Sequence, residues 1–186
     1  YVEYAVDGAQ RMKSMVNELL QFSRIRNDQS PTTEVDVGDL VEDVLSELRD
    51  NHDLSDVGVV VESMPVIRAR PGQLRRVFSN LVINALKHSD AEDLTIRVEA
   101  EERPLEWEFT VSDNGRGIAE RQRERIFQIF VRGAHEDTSG TPGSGIGLAI
   151  CATVVSRHGG RIWVEQAEPH GAAFKFTIAK ELDHDD

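Results

Sequence analysis

A chain of 186 residues, 39% hydrophobic and 29% charged, can build one domain with a sizeable core plus one accessory element, and its composition fits neither a disordered tail nor a membrane protein. Its 33 acidic residues against 21 basic ones give a formal net charge of -12, which repels a phosphate backbone and argues against a nucleic-acid partner. The single cysteine, Cys151, excludes an intrachain disulfide or a cysteine metal cluster, fits a reducing compartment and reads as core.

From Val2 to about Arg26 the apolar residues Val2, Ala5, Ala9, Met12, Val16 and Leu19 alternate in steps of three and four, the seam of a helix that wants a partner. Met15, Leu20 and Phe22 widen the stripe toward that of a helical bundle, with docking on the chain's own domain as the alternative. Residues Asn27 to Thr33 (NDQSPTT) are polar and aperiodic, which marks a linker and a domain boundary. Asp36 can cap a helix through Val41, Val44, Leu45 and Leu48, and β-rich runs follow at Val57 to Val61 and Val66 to Arg68. Pro71 opens a second helix that extends to about His88.

Two alternating runs come next, Leu94 to Ala100 and Trp107 to Val111, and read as a hairpin. A short helix near Glu120 to Gln128, a glycine-rich segment, a helix from about Gly145 to His158 and strands near Ile162 to Glu165 and Phe174 to Ile178 complete an α+β pattern without internal repeats. The longest uncharged stretch, Ser139 to Ser156, is too short in its apolar part to cross a bilayer, and no signal peptide is visible. The expected location is cytoplasmic with no membrane contact by these residues, although a longer protein could be attached to a membrane elsewhere.

Three segments carry the chemistry. On the helix from Pro71 to His88, Leu74, Val77, Phe78, Leu81, Val82 and Ala85 form one broad apolar arc, while Asn80, Asn84 and Lys87 form a separate stripe. Two amides and an ammonium suit the oxygens of a magnesium-bound phosphate; taken alone, the stripe is equally a solvated face. Asp113 shares the parity of Trp107, Phe109 and Val111 and so points inward, where a carboxylate accepts hydrogen bonds only and selects a donor such as the exocyclic amine of adenine. Asn114-Gly115-Arg116-Gly117 behind it permits close backbone approach, and by itself also fits an ordinary turn. The run from Gly143 to Ile150 (GSGIGLAI) passes from alternating glycines into a helix, a phosphate-binding arrangement or a simple connector; it matches neither the Walker pattern nor the dinucleotide fingerprint.

Taken in order, Asn80 to His88 (NLVINALKH), Asp113 to Ile118 (DNGRGI), Phe127 to Phe130 (FQIF) and Gly143 to Leu148 (GSGIGL) resemble the N, G1, F and G2 boxes of sensor histidine kinases, within the wider GHKL superfamily. The segment RMKSMVNELLQFSRI resembles the end of the dimerisation and phosphoacceptor bundle that precedes such a domain. The resemblance implies a two-layer sandwich of Bergerat type, a mixed and largely antiparallel sheet with helices on one face, over residues 34–182, preceded by the bundle helix over 1–26 and the linker over 27–33 and followed by an acidic tail over 183–186.

It further implies that ATP and Mg are bound. Asp113 would hold adenine, Asn84 would ligate Mg, Lys87 would touch phosphate, and Asn80 and His88 would border phosphate and sugar. Gly115, Gly117 and Ile118, together with Phe130, Gly143, Gly145, Ile146, Gly147 and Leu148, would flank the nucleotide, and Arg132 to Pro142 would form a lid. Position 80 is an asparagine where hydrolytic relatives carry a glutamate that activates water; an amide is no general base at neutral pH, so transfer to a side chain is favoured over hydrolysis.

No residue before Asn27 matches the family's phosphoacceptor histidine, and His135 lies in the lid at the wrong spacing. The chain is therefore expected to act on a histidine of its own upstream helix, in a homodimer that hands the phosphoryl group to a response regulator, and not to autophosphorylate alone. Gly171-Ala172-Ala173-Phe174 carries alanine where the family commonly places a hydroxyl near adenine. The alternatives are a nucleotide-binding dimerisation module without transfer activity and a GHKL ATPase.

Overall fold

A computed structural model describes residues 16, 20, 22–23, 25, 28, 30–51, 54, 56–88, 93–129, 131 and 145–181. Most of the N-terminal helix, the Arg132 to Pro142 lid, Phe130, Gly143 and the acidic tail lie outside the described residues.

The strand β1 (Thr33–Asp36) pairs antiparallel with β3 (Val66–Ala69), Thr33 opposite Ala69 and Asp36 opposite Val66. At its end Asp36 turns the chain directly into α1 (Val37–Asn51), because its Oδ1 accepts the Asp39 N–H at 3.2 Å and satisfies a first-turn donor. Every inward position of α1, from Val37 through Val44 and Leu45 to Leu48, is buried. The linker runs into the strand: Thr33 is already paired.

The main sheet has five strands in the order β2-β4-β5-β7-β6. The edge strand β2 (Gly58–Val61) runs parallel to β4 (Thr95–Glu102), and β4, β5 (Glu106–Asp113), β7 (Ala172–Ala179) and β6 (Ile162–Gln166) are successively antiparallel. Alternation decides the two faces. Ile96, Val98, Phe109, Val111, Phe174 and Phe176 are buried beneath the helices, whereas the opposite face carries ion pairs such as Lys175 with Glu165 at 2.9 Å and Arg97 with Glu62 at 2.7 Å. Such exposed pairs contribute little stability, so they decide which face is wet and not how firmly the sheet is held.

The layer over the apolar face is α2 (Pro71–His88), α3 (Glu120–Arg123), a 3-10 turn (Arg125–Phe127) and α4 (Gly147–Arg157). Phe78 of α2 meets Phe109 and Phe176 edge-on at 5.9 and 5.4 Å between ring centroids, and those two rings stack at 5.2 Å. Each of the three rings is fully buried, and burying a phenyl group stabilises by roughly 1.5 to 3 kcal/mol. The helix expected over Glu120 to Gln128 breaks after Arg123, and the tighter turn buries Ile126 while setting Phe127 edge-on to Phe174, 6.4 Å away.

Of the N-terminal helix, Ile25 is 4% exposed and joins the domain core with Phe22 packed against it, whereas Val16 and Leu20 are 56% and 53% exposed. Its described end at Phe22 and Ile25 thus packs on the chain's own domain, while the seam expected from Val2 to Leu19 lies, Val16 apart, outside the described residues. The linker beyond is gripped from two sides. Gln73 Nε2 donates to Asp28 Oδ2 at 2.9 Å, Arg157 donates to the Asp28 carbonyl at 2.6 Å, and Arg70 Nε donates to the Ser30 carbonyl at 2.8 Å.

Candidate nucleotide site

Asp113 ends β5 on the inward side, half-buried, as strand parity requires. Its Oδ1 accepts the Gly115 N–H at 2.9 Å and the Ala172 N–H at 3.4 Å, while Oδ2 takes no hydrogen bond from the described residues. Burial pushes the carboxyl above its ordinary 3.8, partly offset by the two N–H groups and by the charge of His88 at the end of α2. A raised carboxyl with one unengaged oxygen is poised for a donor from a ligand.

The backbone around it can close only with glycine. Gly171 sits at φ 116°, and a Cβ there would fall 1.8 Å from the Asp113 carbonyl oxygen. Gly117 sits at φ 70°, and a Cβ there would fall 2.7 Å from the Gly171 carbonyl oxygen. The loop after β5 and the turn before β7 therefore interlock, with Gly115 buried and Ile118 half-buried between them. Asn114, which sequence reasoning left without a role, pins the loop to β4: its Oδ1 accepts the Thr95 N–H at 2.8 Å and its Nδ2 donates to the Asp93 carbonyl at 2.9 Å. An asparagine just past a strand end is the available signal, since its short amide competes well for local backbone groups.

The amide stripe of α2 faces the start of α4. Asn80 Nδ2 donates to the Gly147 carbonyl at 3.1 Å, and the stripe continues with Asn84, half-buried and without a hydrogen bond among the described residues. Lys87 and His88 lie exposed at the C-terminal end of the same helix. Behind Asn80 the Cys151 thiol is wholly buried and contacts the Val77 carbonyl at 3.9 Å; burial pushes it up to about 12.

Gly145 at φ 72° turns the chain into α4, Ile146 is fully buried and anchors that turn, and Leu148 is half-buried. No side chain among the described residues caps the helix start, where the Ile150 N–H donates to the Ile146 carbonyl at 2.9 Å and the positive end of the helix dipole lies. The structure thus brings Asn80 and Gly147 into contact and places His88 where its charge acts on Asp113. A groove of about 810 Å³ lies elsewhere, between Phe22, Phe127, Ile129 and the Ala152 face of α4, and shares no residue with this set. Among the described residues no cluster of three or more His, Cys, Asp or Glu could hold a metal ion, and no helix is long and apolar enough to cross a membrane.

Residues 69–182 match the family described as histidine kinase-, DNA gyrase B- and HSP90-like ATPase. The chain belongs to this family, and what it carries is an ATP-binding catalytic domain of the histidine-kinase kind. It is 33% identical over 178 residues to the phytochrome-like protein Cph1 of Synechocystis, covering 96% of this chain and 24% of that protein. It is 35% identical over 174 residues to the sensor histidine kinase AruS of Pseudomonas aeruginosa, covering 89% of this chain and 17% of that one. The chain thus spans a quarter or less of these relatives. Among solved structures, full-length ShkA in complex with AMPPNP superposes with a TM-score of 0.76 at 27% identity, over 98% of this chain and 39% of that one.

Proposed function

We propose that the chain is the catalytic part of a two-component sensor histidine kinase, binding Mg-ATP and passing its γ-phosphoryl group to a histidine on the dimerisation helix of the longer protein, from which a response regulator receives it. The observation that carries this reading is the carboxylate of Asp113, one oxygen held by backbone N–H groups and the other without a hydrogen bond among the described residues, in a loop that only glycines can close. An acceptor-only group in that position binds adenine through its exocyclic amine and rejects guanine, which presents an oxygen there.

The triphosphate then lies along the α2 stripe toward α4. Lys87 neutralises charge on the phosphates, the positive dipole end at the start of α4 faces them, and His88 borders the sugar. Gly115, Gly117, Ile118, Gly145, Ile146, Gly147 and Leu148 shape the walls, with Phe130 and Gly143 assigned the same role by resemblance. The residues present also fit Mg. Asn84 offers a hard, neutral amide oxygen with no partner among the described residues, and Mg ordinarily takes one or two protein ligands beside phosphate and water. Bound there, the ion would neutralise charge on the phosphate oxygens.

Asn80 holds the Gly147 carbonyl and, being an amide, removes no proton from water, so the site positions a phosphoryl group for a side-chain nucleophile instead of hydrolysing it. Titration calorimetry with AMPPNP and Mg tests the site. Asp113→Asn is expected to weaken binding by about 10- to 100-fold, the worth of a hydrogen bond to a charged group; an unchanged affinity overturns the assignment. Supplying a dimerisation bundle with its histidine tests the transfer: acid-labile phosphohistidine is expected with Mg-ATP, and rapid phosphate release without it would favour the ATPase reading.

A further inference from the structure

One peptide group at the start of β7 links Asp113 on β5 to a side chain on β6, the strand beyond. The N–H of Ala172 donates to Asp113 Oδ1 at 3.4 Å, and the carbonyl of that same peptide, the Gly171 oxygen, accepts from Gln166 Nε2 at 3.0 Å. The Ala167 N–H also reaches this oxygen, at 3.2 Å. A trans peptide is flat and its N–H and C=O point in opposite directions, so whatever fixes the oxygen aims the hydrogen.

The Gln166 amide is itself oriented from behind. Arg123 Nη2 donates to Gln166 Oε1 at 3.4 Å while Arg123 Nε donates to the Ile118 carbonyl at 3.1 Å, so one guanidinium braces both the loop after β5 and the amide. With a donor on one side and an acceptor on the other, the amide has a single consistent orientation. Gly117, Ile118, Arg123 and Gln166 also line a hollow of about 390 Å³ beside the loop.

We propose that Gln166 is a specificity-determining positioning residue: through the Gly171–Ala172 peptide it holds one oxygen of Asp113 and so leaves the other aimed at the adenine amine. Polarisation along the chain of hydrogen bonds acts in the same sense, since a donor on the carbonyl strengthens the N–H at the other end. This rests on the nucleotide reading of Asp113 given above. The role is one of aim. Gln166 does not touch the base, and losing it should relax the choice between adenine and guanine before it affects the fold, because its side chain is on the exposed edge of the sheet.

The test compares Mg-AMPPNP and Mg-GMPPNP affinities of the whole chain by calorimetry, for the unaltered protein and for Gln166→Ala, Gln166→Glu and Asp113→Asn. Gln166→Ala is expected to lower the ATP-over-GTP preference by about 3- to 10-fold, the range of one neutral hydrogen bond, mostly through weaker AMPPNP binding. Gln166→Glu keeps the shape and the Arg123 contact but sets an oxygen against the Gly171 carbonyl, and is expected to lower the preference at least as far. An unchanged preference in both Gln166 variants, or an equal loss for both nucleotides, overturns the proposal while Asp113→Asn still abolishes selectivity. If Asp113→Asn itself leaves affinity and selectivity unchanged, the nucleotide reading fails instead.

Discussion

The tolerances around Asp113 are narrow. Gly171 cannot carry a Cβ, since that atom would sit 1.8 Å from the Asp113 carbonyl oxygen, and its φ of 116° is foreign to L side chains. Gly171→Ala is therefore expected to cost at least about 2 kcal/mol by urea denaturation and to displace Asp113 enough to lose measurable nucleotide binding. Asn80→Ala breaks the bond to the Gly147 carbonyl; about 1 kcal/mol of stability is expected to go with it, measured in the same way. Asp113 was legible because a strand has a period of two and the carboxylate falls on the apolar parity. Gln166, Arg123 and Gly171 were not, because the contacts that give them meaning cross between segments, and no local spacing encodes which peptide a distant amide will meet.

At the scale of elements the 18 residues of α2 stand where the pattern puts them, from Pro71 to His88. Proline at the first helical position and a broad apolar arc are both local signals. The strand β1 left no such trace: in TEVD only Val35 turns inward, and its partner β3 lies 30 residues on, with Asp36 opposite Val66. Asp36→Ala is expected to lower stability by about 1 kcal/mol in thermal or urea unfolding, since it removes the only side-chain acceptor seen at the start of α1 among the described residues. Phe78→Ala empties the centre of three mutually touching rings and is expected to cost about 3 to 5 kcal/mol in the same assay.

Across the whole molecule, acidity acts through groups that hold its parts together. His158 is fully buried; its Nδ1–H donates to the Val154 carbonyl at 2.8 Å, and its Nε2 accepts the Arg70 N–H at 3.1 Å. Burial holds its basicity below the ordinary 6.5, with the charges of Arg70 and Arg157 acting the same way. A lowered folded value means that the unfolded chain takes up the proton first, so this stability is present above 6.5 and is lost as pH falls below it. Asp28, lowered to about 2 by its bonds from Ser30 and Gln73, adds stability above its ordinary 3.8 that is lost as pH falls toward 2. Asp113 runs the other way: its raised carboxyl weakens the free protein as pH climbs through 3.8 toward its folded value. The melting temperature is therefore expected to fall from pH 7 to 5.5, and His158→Gln to flatten that limb, by differential scanning fluorimetry.

The single thiol of the protein, Cys151, lies where α2 and α4 meet, wholly shielded and with its pKa pushed up to about 12. A group so protonated and so enclosed reacts with an aromatic disulfide reagent only when the two helices part. Cys151 is thus a built-in clock for that opening. Coloured product should appear at a rate set by the separation of the helices, and AMPPNP with Mg should slow it by clasping both sides of the seam.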